Sequence, residues 1–79
     1  MSDEEIYRRL AGVFDDVFEY DKPIAAETVA ADVEGWDSIG QIRLVLACEQ
    51  AFGCHFDPKE VVGLNNVGEL VATIRRKIG

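Results

Sequence analysis

A chain of 79 residues that is 48% hydrophobic and 29% charged is the size of one domain and too apolar to be disordered. Its net charge of −7 is lopsided, because residues 1–37 hold eleven acids against Arg8, Arg9 and Lys22, whereas residues 38–79 hold four acids against five bases. Such acidity repels nucleic acid and anionic lipid and favours basic protein partners, and no apolar run approaches the roughly 18 residues of a membrane span. The start is acidic and polar, unlike a signal peptide, so the expectation is a cytoplasmic protein that binds neither nucleic acid nor membrane.

Ser2-x-x-Glu5 is a capping box, and behind it Ile6, Leu10, Val13, Phe14 and Val17 recur at helical spacing. Arg8, Arg9, Asp15, Asp16 and Glu19 fall on the opposite face, and the spacing predicts a helix ending near Glu19. Gly12 costs about 1 kcal/mol relative to alanine inside a helix. A close packing contact is the expected compensation. Residues 20–37 then form a connection longer than most. Ile24, Val29 and Val33 can tack it to the core, with a short helical turn within Thr28 to Asp32.

Asp37 is a good N-cap for the apolar segment that follows, since its carboxylate can accept from an unpartnered backbone N–H. Ser38 falls on the first turn, over the positive end of the helix dipole, where proteins repeatedly hold phosphate. The serine therefore reads as an attachment point for a phosphate-linked group. A serine nucleophile needs a base in reach, and the one histidine, His55, lies seventeen positions on, beyond the same helix. No Gly-x-Ser-x-Gly elbow surrounds Ser38 either. Chemistry at this hydroxyl must come from another protein, so the chain is not expected to be an enzyme.

The helix should run from Ser38 to Phe52 and stop at Gly53. Leu44, Val45, Cys48, Ala51 and Phe52 make its core stripe. Ile39, Ile42 and Leu46 make a second, narrower stripe that starts beside Ser38 and is flanked by Arg43, Glu49 and Gln50. Either the helix is sandwiched between neighbours or the stripe is a docking strip for partners. Cys48, Cys54 and His55 match no common zinc spacing, so no metal is expected, and the two cysteines read as small buried hydrophobes.

Asp57-Pro58-Lys59-Glu60 opens a short helix that ends near Gly63. Asn66-x-x-Glu69 is a further capping box, followed by Val67, Leu70, Val71, Ile74 and Ile78 at helical spacing. Arg75, Arg76 and Lys77 suit the end of that helix and read as an end cap, not a nucleic-acid patch. The fold class is all-α: a small antiparallel four-helix bundle of three main helices and one short one, with a long first loop.

Asp37-Ser38-Ile39 resembles the Asp-Ser-Leu signature of the acyl carrier protein family, whose members bear phosphopantetheine. The likeness extends over Ser38 to Gly53, the Phe56-Asp57-Pro58-Lys59-Glu60 turn and the Val67-Gly68-Glu69-Leu70-Val71 helix start. It implies a single carrier domain over residues 1–79, a monomer, with 4'-phosphopantetheine attached covalently to Ser38 by a separate phosphopantetheinyl transferase. The arm would hold acyl or aminoacyl groups as thioesters, loaded by one enzyme and passed to downstream synthase or transferase enzymes. Partners of the family dock largely on the second helix, which puts Ile39, Ile42, Arg43, Leu46 and Glu49 on the docking surface and Asp37 beside the arm as helix cap. Gly40 and Arg43 stand where fatty-acid carriers often have acids, so the resemblance favours a carrier dedicated to one pathway, of polyketide, nonribosomal-peptide or D-alanyl type. Trp36 fits that type too, or serves as a loop anchor. The other reading is a carrier-like bundle that works unmodified as an interaction module.

Overall fold

The computed structural model describes residues 1–78, and every regular element in them is helical. The Ser2 hydroxyl accepts from Glu5 N at 3.3 Å and starts α1, Asp3–Phe18. The helix closes at Glu19, which takes a left-handed conformation (φ 54°) while Glu19 N donates to Asp15 O and Tyr20 N to Phe14 O. Ile6, Leu10, Val13 and Phe14 form its buried face, and Arg8, Arg9, Asp15, Asp16 and Glu19 its exposed one. Gly12 is exposed, and a Cβ built there meets nothing within 4 Å. The packing contact expected for this glycine is therefore absent, and its helix cost is uncompensated.

The long connection is tied down at several points. Val33 and Trp36 are buried, and Ile24 packs against the core at partial exposure. A 3₁₀ turn at Ala30–Asp32 falls within the expected stretch. The buried Thr28 accepts from Ala25 N at 2.9 Å, and its carbonyl takes Val67 N at 2.9 Å. Ala26 O takes Gly68 N at 2.9 Å, so the loop satisfies donors at the start of another helix that have no helical acceptors.

That helix is α4, Val67–Ile78, and α2 is Ser38–Phe52, ended by Gly53 in the left-handed region (φ 64°). α3, Pro58–Val62, is short; Asp57 N donates to Glu60 Oε1 at 2.9 Å, and Gly63 ends it. Leu44, Cys48, Phe52, Leu70, Val71 and Ile74 meet the α1 face to complete the core. Phe18 at the end of α1 approaches Gly40 at the start of α2, and Arg75 in the last turn of α4 reaches Asp3 in the first turn of α1 at 3.2 Å. Both helices thus run antiparallel to α1, which gives the expected small bundle.

The basic run at the end of α4 is occupied with neighbours. Beyond the Arg75–Asp3 pair, Lys77 Nζ sits 2.7 Å from Glu60 Oε1 and Arg76 lies 3.8 Å from Glu60 Oε2. The Lys77 ammonium also lies 5.5 Å from the centre of the Phe56 ring. Its hydrogen bond, followed by the Asp57 backbone bond, holds the Glu60 carboxyl below its ordinary range. At the start of α4, Asn66 Oδ1 accepts from Glu69 N at 2.8 Å, but the Glu69 carboxylate returns to Asn65 N, one residue earlier than the expected box.

Candidate functional site

Asp37 leads into α2 in an extended conformation, and its Oδ1 accepts from Gly40 N at 2.8 Å. Its carbonyl takes Gln41 N at 2.7 Å, which leaves the N–H groups of Ser38 and Ile39 without helical acceptors. Ser38 is exposed on that first turn, and among the described residues no side chain bonds its hydroxyl. The oxygen is therefore free to be esterified, and an attached phosphate would lie where donors and the helix dipole favour an anion.

The segment that delivers Ser38 is held closely. Trp36 meets Phe14 edge-on at 5.3 Å between ring centres and stacks on Phe18 at 6.3 Å, so it is the loop anchor. Its indole Nε1 donates to Gln41 Oε1. Gly35 has φ 92°, and its carbonyl crosses the α2 backbone at Gly40 so closely that a Cβ there would overlap the Gly35 oxygen. Gly40 is thus required by this crossing, a packing reason that its place in the signature did not disclose.

Ile39, Ile42 and Leu46 are 71%, 59% and 55% exposed, and no neighbouring helix covers them. The sandwiched alternative for this stripe fails. Val62 on α3, at 83%, extends the strip; sequence reasoning missed it because a five-residue helix is too short to show a periodic face. Arg43 is exposed beside the strip. Glu49 lines a hollow together with Ile42 and Leu46, but its side chain is only 18% exposed and accepts from Phe56 N at 2.8 Å, with His55 Nδ1 at 3.3 Å. Its carboxylate thereby holds the connection between α2 and α3.

A groove of about 480 Å³ opens at Ser38 between α2 and α3, lined by Trp36, Gln41, Ile42, Val61, Val62 and Leu64 among others. A second hollow of about 270 Å³ continues from Ile42 and Val61 to Leu46, Phe56 and Pro58. A hollow at the other side of the loop, beside Tyr20, Asp21 and Glu34, is acidic and does not touch Ser38.

Among the described residues no base is placed to activate Ser38. His55 lies past the far end of α2, about 22 Å along a helix of 15 residues. The Asp37 carboxylate is engaged with Gly40 N. Cys48 is buried in the core, and burial pushes its thiol up to about 12, so it is an inert hydrophobe. Cys54 is free and partly exposed, its thiol also raised, chiefly by burial.

Three comparisons agree with this geometry. The family model for a phosphopantetheine attachment site matches residues 8–74. The chain is 31% identical to an acyl carrier protein of Lactobacillus acidophilus over the whole length of both, and 28% identical to one of Thermotoga maritima, covering 99% of this chain and 98% of that one. Its fold is similar to the solution NMR structure of a holo acyl carrier protein from Geobacter metallireducens, with a TM-score of 0.82 and 29% identity over 90% of this chain and 83% of the other.

Proposed function

The chain belongs to the acyl carrier family that bears a phosphopantetheine attachment site, and from that premise we propose that Ser38 carries the arm of a carrier dedicated to one biosynthetic pathway. Proteins of this family are carriers and not enzymes, and their prosthetic group is covalent phosphopantetheine. The observation that carries the assignment to Ser38 is its exposed, unbonded hydroxyl on the first turn of a helix capped by Asp37. The group, once bound, supplies a terminal thiol that holds acyl or aminoacyl cargo as a thioester.

The residues of the chain divide the remaining work. Ser38 contributes only its oxygen, and a phosphopantetheinyl transferase supplies the base that takes its proton. Asp37 fixes the first turn of α2, so the oxygen is presented at a constant angle. Ile39, Ile42 and Leu46 offer loading and downstream enzymes an apolar strip leading away from the arm. Arg43 supports the dedicated reading: α2 has no acid before Glu49, whose carboxylate is held by Phe56 N, and a basic partner surface meets an exposed cation instead. Gly40 no longer bears on this question, since the Gly35 crossing alone demands it.

Tethering keeps an intermediate at high effective concentration near successive partners, the physical benefit of a carrier. We place it in the cytoplasm as a monomer, one carrier domain over residues 1–79, of polyketide, nonribosomal-peptide or D-alanyl type. Among the described residues no helix is long and apolar enough to cross a membrane. The test is incubation with coenzyme A and a broad-specificity transferase, followed by intact-mass measurement. The parent should gain the mass of one phosphopantetheine and Ser38→Ala none; a gain that survives that substitution removes Ser38 from the role.

A further inference from the structure

α3 is the least anchored of the four helices. None of its five residues is buried, yet it forms the outer wall of the groove that begins at Ser38. Only Val61 of the five packs against the core, and at partial exposure, so packing holds α3 weakly and side-chain ties help to decide where it sits. On the α4 side the tie is electrostatic, Lys77 to Glu60. On the α2 side, the one side-chain hydrogen bond to α3 among the described residues comes from Gln41, whose Nε2 donates to the Val61 carbonyl at 3.0 Å. Val61 stands in the last turn of α3, and its carbonyl, which accepts from Leu64 N at 3.3 Å, takes the Gln41 amide as a second and shorter bond, so Gln41 adds a side-chain tie to the end of α3.

The direction of that amide is dictated by its two partners. An indole N–H only donates and a peptide carbonyl only accepts, so the Gln41 oxygen faces Trp36 and its nitrogen faces Val61. Trp36 is itself fixed by Phe14 and Phe18. A chain of contacts therefore runs from the aromatic core, through Gln41, to the wall of the groove. Gln41 is three residues after Ser38 on the same helix face and lines the groove with it.

We propose that Gln41 is a latch: oriented by Trp36, it pins α3 across the groove beside Ser38 and so sets how far that groove opens at the root of the arm. What passes through the groove rests on the reading of Ser38 given above. The latch itself belongs to the unmodified chain, where it can be measured separately.

Backbone amide hydrogen exchange, followed by NMR on the unmodified protein, tests it with three variants. Gln41→Met loses both bonds, Gln41→Glu keeps an acceptor for the indole but loses the donor to Val61, and Trp36→Phe keeps a ring but removes the orienting N–H. Losing one ordinary hydrogen bond corresponds to about a fivefold rise in local opening. Exchange at Val61 and Leu64, whose amides close the turns of α3, should therefore rise about fivefold in both Gln41 variants, with the amides of Leu10 and Leu70 unchanged. Trp36→Phe should give a smaller rise at the same two amides. The indole N–H resonance should keep its place in Gln41→Glu and move in Gln41→Met. Parental exchange at Val61 and Leu64 in the Gln41 variants overturns the latch, and so does a uniform rise across all helices, which marks Gln41 as a general stabiliser. Absence of arm attachment at Ser38 leaves these rates untouched, so the two readings fail separately.

Discussion

Two glycines in two helices make opposite predictions under the same substitution. In Gly12→Ala the new methyl meets nothing within 4 Å, so the helix gains the full propensity difference of about 1 kcal/mol. For a domain of this size that raises Tm by about 4–8 °C. In Gly40→Ala the methyl overlaps the Gly35 carbonyl oxygen and comes within 3.0 Å of Phe18 Cε1. A backbone oxygen cannot rotate aside as a side chain can, so the upper end of the usual overpacking cost, about 3 kcal/mol, applies. Set against a propensity gain of about 1 kcal/mol, the net is a loss of about 2 kcal/mol, or about 8–16 °C. Thermal unfolding by far-UV circular dichroism measures both. Gly40→Ala should also slow arm attachment, because Gly40 N is the donor that Asp37 holds and its displacement re-aims Ser38. Gly12→Ala should leave attachment unchanged. A Gly40→Ala protein that melts at or above the parent would refute the argument from the Gly35 crossing.

Asp37→Ala removes the cap bond to Gly40 N and should cost about 1 kcal/mol, read as a lowered melting temperature. Arg43→Glu should speed loading by generic fatty-acid enzymes with basic docking surfaces; unchanged or slower loading counts against the role given to this side chain. The Cys48 thiol, with an ordinary value of 9.0 pushed up to about 12 by burial, stays neutral in the folded chain while the unfolded chain ionises. Its contribution is thus whole below about pH 9 and drains by about 1.4 kcal/mol per pH unit above that until the folded thiol itself titrates. Denaturant unfolding at pH 8 to 11, taken as about one point per unit, should show a flatter alkaline decline in Cys48→Ala than in the parent.

The helix ends were written in residues whose effect is local. Ser2, Asp37, Gly53, Pro58 and Asn66 each act within a turn of their own position, so their meaning does not wait on the tertiary fold. The exposed place of Ser38 at the start of α2 was legible for the same reason. What escaped depends on partners distant in sequence. Gln41 reads as one more polar residue until Val61, twenty positions on, is brought beside it. Gly40 reads as a variation in the signature until the Gly35 carbonyl crosses it. Glu49 sits on the stripe side of α2 by angle, but the Phe56 amide claims its carboxylate. Gly12 shows the opposite failure, where a packing reason was sought and none exists.

The Asp3–Arg75 contact puts the opening turn of α1 beside the closing turn of α4, while Ser38 lies by the other end of α1, about 24 Å away along its 16 residues. Tags, surfaces or neighbouring modules grafted at that shared pole would leave the serine facing open solvent.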